Sequence, residues 1–139
     1  MSKAFTKESD DVPADRPRRR GVPVPAPNYL TPAGERALRR EAATCTDEDR
    51  LRELTEHLAT AQVMAPPADR GAVSLGADVV VADASGRRTT YRLVGALEAE
   101  PRRGHVFWRS PIGEALYGAR VGDAVSLPRG EVEVVSVTY

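Results

Sequence analysis

The stretch "RSPIGEALYGARVGDAVSLPRGEVEVVSVTY", Arg109 to Tyr139, decides the fold class. Ser110 is a helix-capping residue, and Pro111 suits the first helical position, where a missing N–H costs nothing. Gly118 falls where such a helix should end. "DAVSLPRGEVEVVSVTY" then reads as a closing hairpin that turns at Pro128 to Gly130. Upstream, "GADVVVADASGRRTTYRLVG" reads as strand, Ala-Ser-Gly turn, strand, and "HVFWRS" as a third strand. Residues 67–139 are thus expected to form a small β-rich domain with one short helix.

The period changes before Pro67. In "NYLTPAGERALRREAATC" Thr31 can cap a helix with Pro32 first inside it, and apolar or small residues fall at Gly34, Leu38, Ala42 and Cys45. In "TDEDRLRELTEHLATAQVM" the residues Leu51, Leu54, Leu58 and Ala61 make the narrow stripe of a two-helix seam. This second helix is expected to start at Thr46 and to end near Gln62, ahead of "APP". A short break between two such helices implies an antiparallel hairpin over residues 29–66. The fold class is therefore α+β: a short helical hairpin followed by a β-rich C-terminal domain.

Residues 1–28 are rich in Pro and charge and poor in large apolar side chains, the composition of a disordered tail. Lys+Arg and Asp+Glu are both 20, so the formal net charge is zero, which argues against non-specific nucleic-acid binding as the main activity. With one cysteine, Cys45, no disulfide framework forms within the chain, which fits a reducing cytoplasm. No apolar run approaches the roughly 20 residues of a membrane span. The start lacks the apolar segment of a signal peptide.

The quoted C-terminal stretch resembles the end of the bacterial Gre transcription elongation factors, GreA and GreB. The shared pattern is Ser110-Pro111-Ile112, a short helix ending at Gly118, Val121-Gly122-Asp123, and a final strand ending in Tyr139. Residues 93–95, Leu-Val-Gly, sit as in that family's first hairpin; "AQVM" is similar to the exit from its helical arm, and "NYLTPAG" to the entry in GreB-like members. The resemblance implies an FKBP-like shape for the C-terminal domain and bacterial RNA polymerase as partner. In the family this domain docks at the rim of the secondary channel. The arm enters the channel, where acids at its tip hold a magnesium ion that promotes cleavage of backtracked RNA. The arm departs from the pattern: nothing here matches the family's Gly-Asp-Leu-X-Glu-Asn-Ala-like tip, and a helix from Thr46 to Gln62 spans only about 25 Å.

Two groups of candidate residues follow. At the arm tip, Asp47, Glu48 and Asp49 have the oxygen ligands of a cation site. They are equally the first turn of a helix capped by Thr46, where negative charge is favoured by the helix dipole, and this reading accounts for all three without a metal. In the C-terminal domain, alternation sends Val106 and Trp108 to one face and His105, Phe107 and Arg109 to the other, so Trp108 is expected in the core and Phe107 either as an exposed aromatic or as a cover over the short helix. Beside it lies the Ser110-Pro111-Ile112 corner, which the resemblance makes part of the polymerase-binding surface together with Phe107 and Arg109. His57 is expected to be solvated, Cys45 to pack at the hairpin tip, and Ser110 to be a cap rather than a nucleophile. No catalytic residue, metal or cofactor is assigned.

The leading expectation is a cytoplasmic, monomeric, non-enzymatic regulator of elongation that binds RNA polymerase at the secondary channel without stimulating cleavage and touches nucleic acid only indirectly. A cleavage-stimulating factor is the alternative. An FKBP-like prolyl isomerase is the second alternative, with few aromatics to line its pocket.

Overall fold

The computed structural model describes residues 21–139. Residues 1–20, most of the expected disordered tail, lie outside the described residues. The elements run β1 (Tyr29–Leu30), α1 (Pro32–Thr44), α2 (Glu48–Thr60), β2 (Gln62–Val63), β3 (Asp78–Asp83), β4 (Arg88–Val94), β5 (His105–Phe107), α3 (Pro111–Leu116), β6 (Ala124–Leu127) and β7 (Gly130–Thr138). The class is α+β, with a helical hairpin and one five-stranded sheet in the order β5-β4-β3-β7-β6.

The sheet grows from two hairpins. Strand β3 pairs antiparallel with β4, Val79 opposite Tyr91 and Val81 opposite Thr89. The Asp83 carboxylate holds their turn, accepting from Ser85 N at 2.9 Å and Arg87 N at 3.0 Å, and Gly86 supplies the positive φ of 85°. Strand β7 pairs with β3 on one side and β6 on the other. A register shift between Val80 and Val81 bends the β3–β7 pair. Strand β5 is only three residues long and runs parallel to β4, a pairing that needs a crossover; the single-turn helices Ala96–Glu98 and Pro101–Arg103 supply it. Alternation places Val79, Val81, Leu93, Val106, Val125 and Val134 inside, and Leu116 of α3 closes them off. The Tyr139 hydroxyl donates to Ala72 O at 2.6 Å, tying the last residue to the segment that enters the sheet.

The arm has its own small core: Leu30, Leu38 and Leu54 are buried, with Ala42, Cys45, Leu58, Ala61 and Leu97 packed against them. Leu51 of the expected stripe is instead exposed. Helix α1 begins as expected, with the Thr31 side chain accepting from Gly34 N at 3.0 Å. Helix α2 is shorter than expected, Glu48–Thr60 rather than 46–62, and its cap is Asp47, not Thr46.

Three features build the base of the arm. Strands β1 and β2 pair in parallel at the arm's base, Tyr29 opposite Gln62 and Leu30 opposite Val63. Two-residue strands carry no period, so nothing in the sequence announced them. Glu98, from the crossover, reaches the start of α1: its carboxylate accepts from Thr31 N at 3.0 Å and Gly95 N at 2.9 Å and also takes the Thr31 hydroxyl. Gly34 is small for that reason, since a Cβ there would lie 1.8 Å from Glu98 Oε1.

The third feature corrects the boundary of the tail. Residues 21–28 lie along α2 rather than in disorder. Val22 N donates to Glu53 Oε2 at 2.6 Å, and the Asn28 side-chain amide donates to His57 O at 2.7 Å and Thr60 Oγ1 at 3.1 Å. His57, expected in solvent, is 0% exposed under this strap. Its Nε2 donates to Val22 O at 2.7 Å.

Candidate functional site

The arm tip is built from the backbone outward. Thr44 ends α1, and three residues later Asp47 Oδ1 accepts from Asp49 N at 3.0 Å and Arg50 N at 3.2 Å, satisfying two of the orphan donors at the start of α2. Glu48 and Asp49 are the acidic first turn, favoured by the helix dipole. Asp49 meets Arg52 Nη1 at 3.3 Å, with its side chain 85% exposed. Of the three expected acids, Asp47 is therefore committed to the backbone, while Glu48 and Asp49 face solvent. Among the described residues no group of three His, Cys, Asp or Glu side chains could hold a metal ion. Glu48 and Asp49 are thus the tip carboxylates left free of the cap. Cys45 packs at the tip, its Sγ 3.4 Å from Asp47 O.

Just below the tip Arg50 clamps the two helices. Its Nε and Nη2 donate to the two carboxylate oxygens of Glu41 at 2.6 and 2.9 Å, and Nη1 donates to Glu53 at 2.7 Å. The Arg50 hydrogen bond holds the Glu41 carboxyl below its ordinary range, and Glu41 in turn raises Arg50 above its own. Burial pushes Glu53 up, but the bonds from Val22 N and Arg50 outweigh it and leave its pKa lowered. Two helices of 13 residues span about 20 Å each, so the tip carboxylates stand about that far from the arm's base.

The corner in the sheet domain is equally specific. Ser110 Oγ accepts from Gly113 N at 3.1 Å and caps α3, the role expected of it. Gly113 is pressed under the preceding turn, with a Cβ there 2.3 Å from Phe107 O. Pro111 is exposed at the first helical position, and Ile112 is half-buried against the sheet core. Arg109 lies over the Trp108 ring, 5.5 Å from its centroid, and donates through Nη1 to Ala26 O at 3.1 Å. Trp108 is half-buried and central: its ring lies 5.6 Å from Tyr29, 6.2 Å from Phe107 and 6.0 Å from Tyr117. Of the two readings of Phe107, the open aromatic does not hold. Phe107 is half-buried and faces an apolar groove shared with Val22 to Pro25 and Ala96. The exposed aromatic here is Tyr117, 51% accessible, which sequence reasoning passed over. Its place just before the helix-ending Gly118 was the available signal.

The structure thus brings Phe107, Arg109, Ser110, Pro111 and Ile112 into one corner and leaves Asp47, Glu48 and Asp49 at the arm tip, joined to the corner through the strap and the arm base. No helix among the described residues is long and apolar enough to cross a membrane.

Comparison with known proteins adds the following. Residues 67–139 match the family model described as "Transcription elongation factor, GreA/GreB, C-term". The chain is 41% identical over 99 residues to the transcription elongation factor GreA of Alkalilimnicola ehrlichii, covering 66% of this chain and 63% of that protein. It is 38% identical over 82 residues to the GreA of Thermomicrobium roseum, covering 58% of this chain and 52% of that protein. The chain therefore spans between half and two thirds of the length of these relatives. Among solved structures it is similar to the GreA factor homolog 1 (Gfh1) protein of Thermus thermophilus, with a TM-score of 0.47 at 24% identity over 81% of this chain and 99% of that one. A GreA/GreB factor from Nitrosomonas europaea gives a TM-score of 0.47 at 24% identity over 81% of this chain and 98% of that one. The expectation of a non-enzymatic factor does not stand against these relatives. They carry the name GreA, and promotion of transcript cleavage is the activity that the family resemblance attaches to that name.

Proposed function

The chain belongs to the GreA/GreB family of transcription elongation factors, and from that premise we propose that it binds bacterial RNA polymerase at the rim of the secondary channel. The sheet domain docks through the corner of Phe107, Arg109, Ser110, Pro111 and Ile112, the arm points into the channel, and the complex alters elongation. The observation that carries this reading is the match over residues 67–139, which contains the whole sheet and the whole corner. Titration of purified bacterial core polymerase with the full chain tests it. Saturable binding is expected, weakened about tenfold by Arg109→Glu combined with Pro111→Ala, with circular dichroism unchanged. Equal affinity of the variant and the parent would remove the corner from the proposal.

A second reading is favoured by the name of the relatives: the factor promotes cleavage of backtracked RNA. On this chain the tip carboxylates not spent on capping are Glu48 and Asp49. The reading requires the cleavage centre to lie within about 20 Å of the arm's base once the corner is docked. A backtracked complex decides it. Cleavage that is lost in Glu48→Gln with Asp49→Asn, at unchanged polymerase affinity, is the expected result. Cleavage indifferent to both changes would take the activity away from the tip.

A further inference from the structure

At the open end of the sheet, between the β3–β4 turn, the β6–β7 turn and the Pro101–Arg103 turn, lies a groove enclosing about 820 Å³. Its floor is apolar: Tyr91 and Val132 are half-buried there and continue the sheet core outward. Its rim is basic. Arg87, Arg102, Arg103 and Arg129 stand around it, all exposed, one or two from each of the three turns. Two carboxylates, Asp83 and Glu131, share the lining. Asp83 is occupied by its own turn, bonded to Ser85 and to Arg87 N. Four guanidinium groups against two carboxylates leave a local excess of two positive charges in a chain whose formal net charge is zero. Among the described residues the one ion pair these four arginines make is Arg103 with Glu100, at 3.7 Å and largely in solvent.

We propose that this groove docks an acidic peptide segment of a partner protein, one that presents a bulky apolar side chain flanked by carboxylates. The apolar side chain fills the floor and extends the core. The carboxylates pair with the guanidinium groups, whose planar forks match them. Nucleic acid fits the groove less well, because bases need aromatic faces to stack on and Tyr91 is the single aromatic in the lining. The groove meets the proposed polymerase corner only at Ile112, so the two surfaces test separately.

The probe is a short fluorescein-labelled peptide with Leu and Phe between Asp and Glu residues, followed by fluorescence anisotropy against the full chain. The controls are the same peptide with Lys for each acid and a single-stranded oligonucleotide of matched charge. Saturable binding of the acidic peptide is expected, weakened about tenfold by Arg102→Glu with Arg103→Glu and by raised salt. Amide shifts of labelled protein should map to the three turns and to Tyr91 and Val132. Polymerase affinity should be unchanged in the arginine variant, which keeps this proposal distinct from the docking corner. Absence of saturable binding, equal binding by the charge-reversed peptide or the oligonucleotide, full affinity in the arginine variant, or loss of polymerase affinity with it would each overturn the assignment.

Discussion

At Asp47 one carboxylate oxygen takes two backbone donors, and that commitment fixes where α2 begins. Asp47→Ala should cost about 0.5–2 kcal/mol of arm stability, because two N–H groups lose their acceptor. Thr46→Ala, one residue earlier, should change it by far less. Thermal melts of the two variants read the difference, and a larger loss at Thr46 would move the cap back to that residue. Sequence reasoning placed the cap at Thr46 because Thr and Asp both cap helices and the two positions are adjacent. Only the hydrogen bonds separate them. His57 misled for a different reason. It sits between Glu56 and Leu58 on a charged stretch, and what buries it is a strap some 35 residues away in sequence. Ser110, Pro111 and Gly118 were legible because a cap, a first-turn proline and a terminating glycine act locally.

Within the arm, the Arg50 clamp makes the hairpin sensitive to acid. The Glu41 carboxyl is held below its ordinary value of 4.5 by Arg50. A depressed carboxyl contributes stability above its unfolded pKa and loses it as pH falls through the folded one. The hairpin should therefore hold from neutrality down to about pH 4.5 and loosen below it. Glu41→Gln should give a less stable hairpin at neutral pH with a flatter decline under acid. Helical circular dichroism against pH checks this, and parallel curves for parent and variant would deny the clamp its role. The strap gives a second test at this scale. A chain lacking residues 1–27 should melt a few degrees below one lacking residues 1–20, since it loses the Val22 contacts to Glu53 and His57. Coincident melts would mean the strap adds nothing. Composition hid the strap: its prolines and sparse apolar residues are those of a disordered tail, and its partners lie on α2. The two helices themselves were readable from their spacing, because Leu38, Ala42 and Cys45 in the first and Leu54, Leu58 and Ala61 in the second recur at intervals of three or four residues.

For the molecule as a whole, arm and sheet meet at the arm's base. Glu98 grips the start of α1, β1 pairs with β2 beneath the hairpin, and Tyr29 stacks near Trp108 beside the corner. The sheet's composition of hairpins was legible, since period-two alternation and the turn residues are written along each strand. The parallel seat of β5 was not, because it depends on a crossover of two single-turn helices with no period of their own. The most direct measurement of the central claim is site-specific photocrosslinking to bacterial RNA polymerase. A benzophenone side chain replaces Tyr117, exposed beside the corner, in one protein, and Arg88, exposed at the far start of β4, in another. Docking through the corner predicts an efficient crosslink from position 117 to the secondary-channel rim and little or none from position 88. Crosslinking from position 88 alone, or from neither position while the complex is saturated, would contradict it.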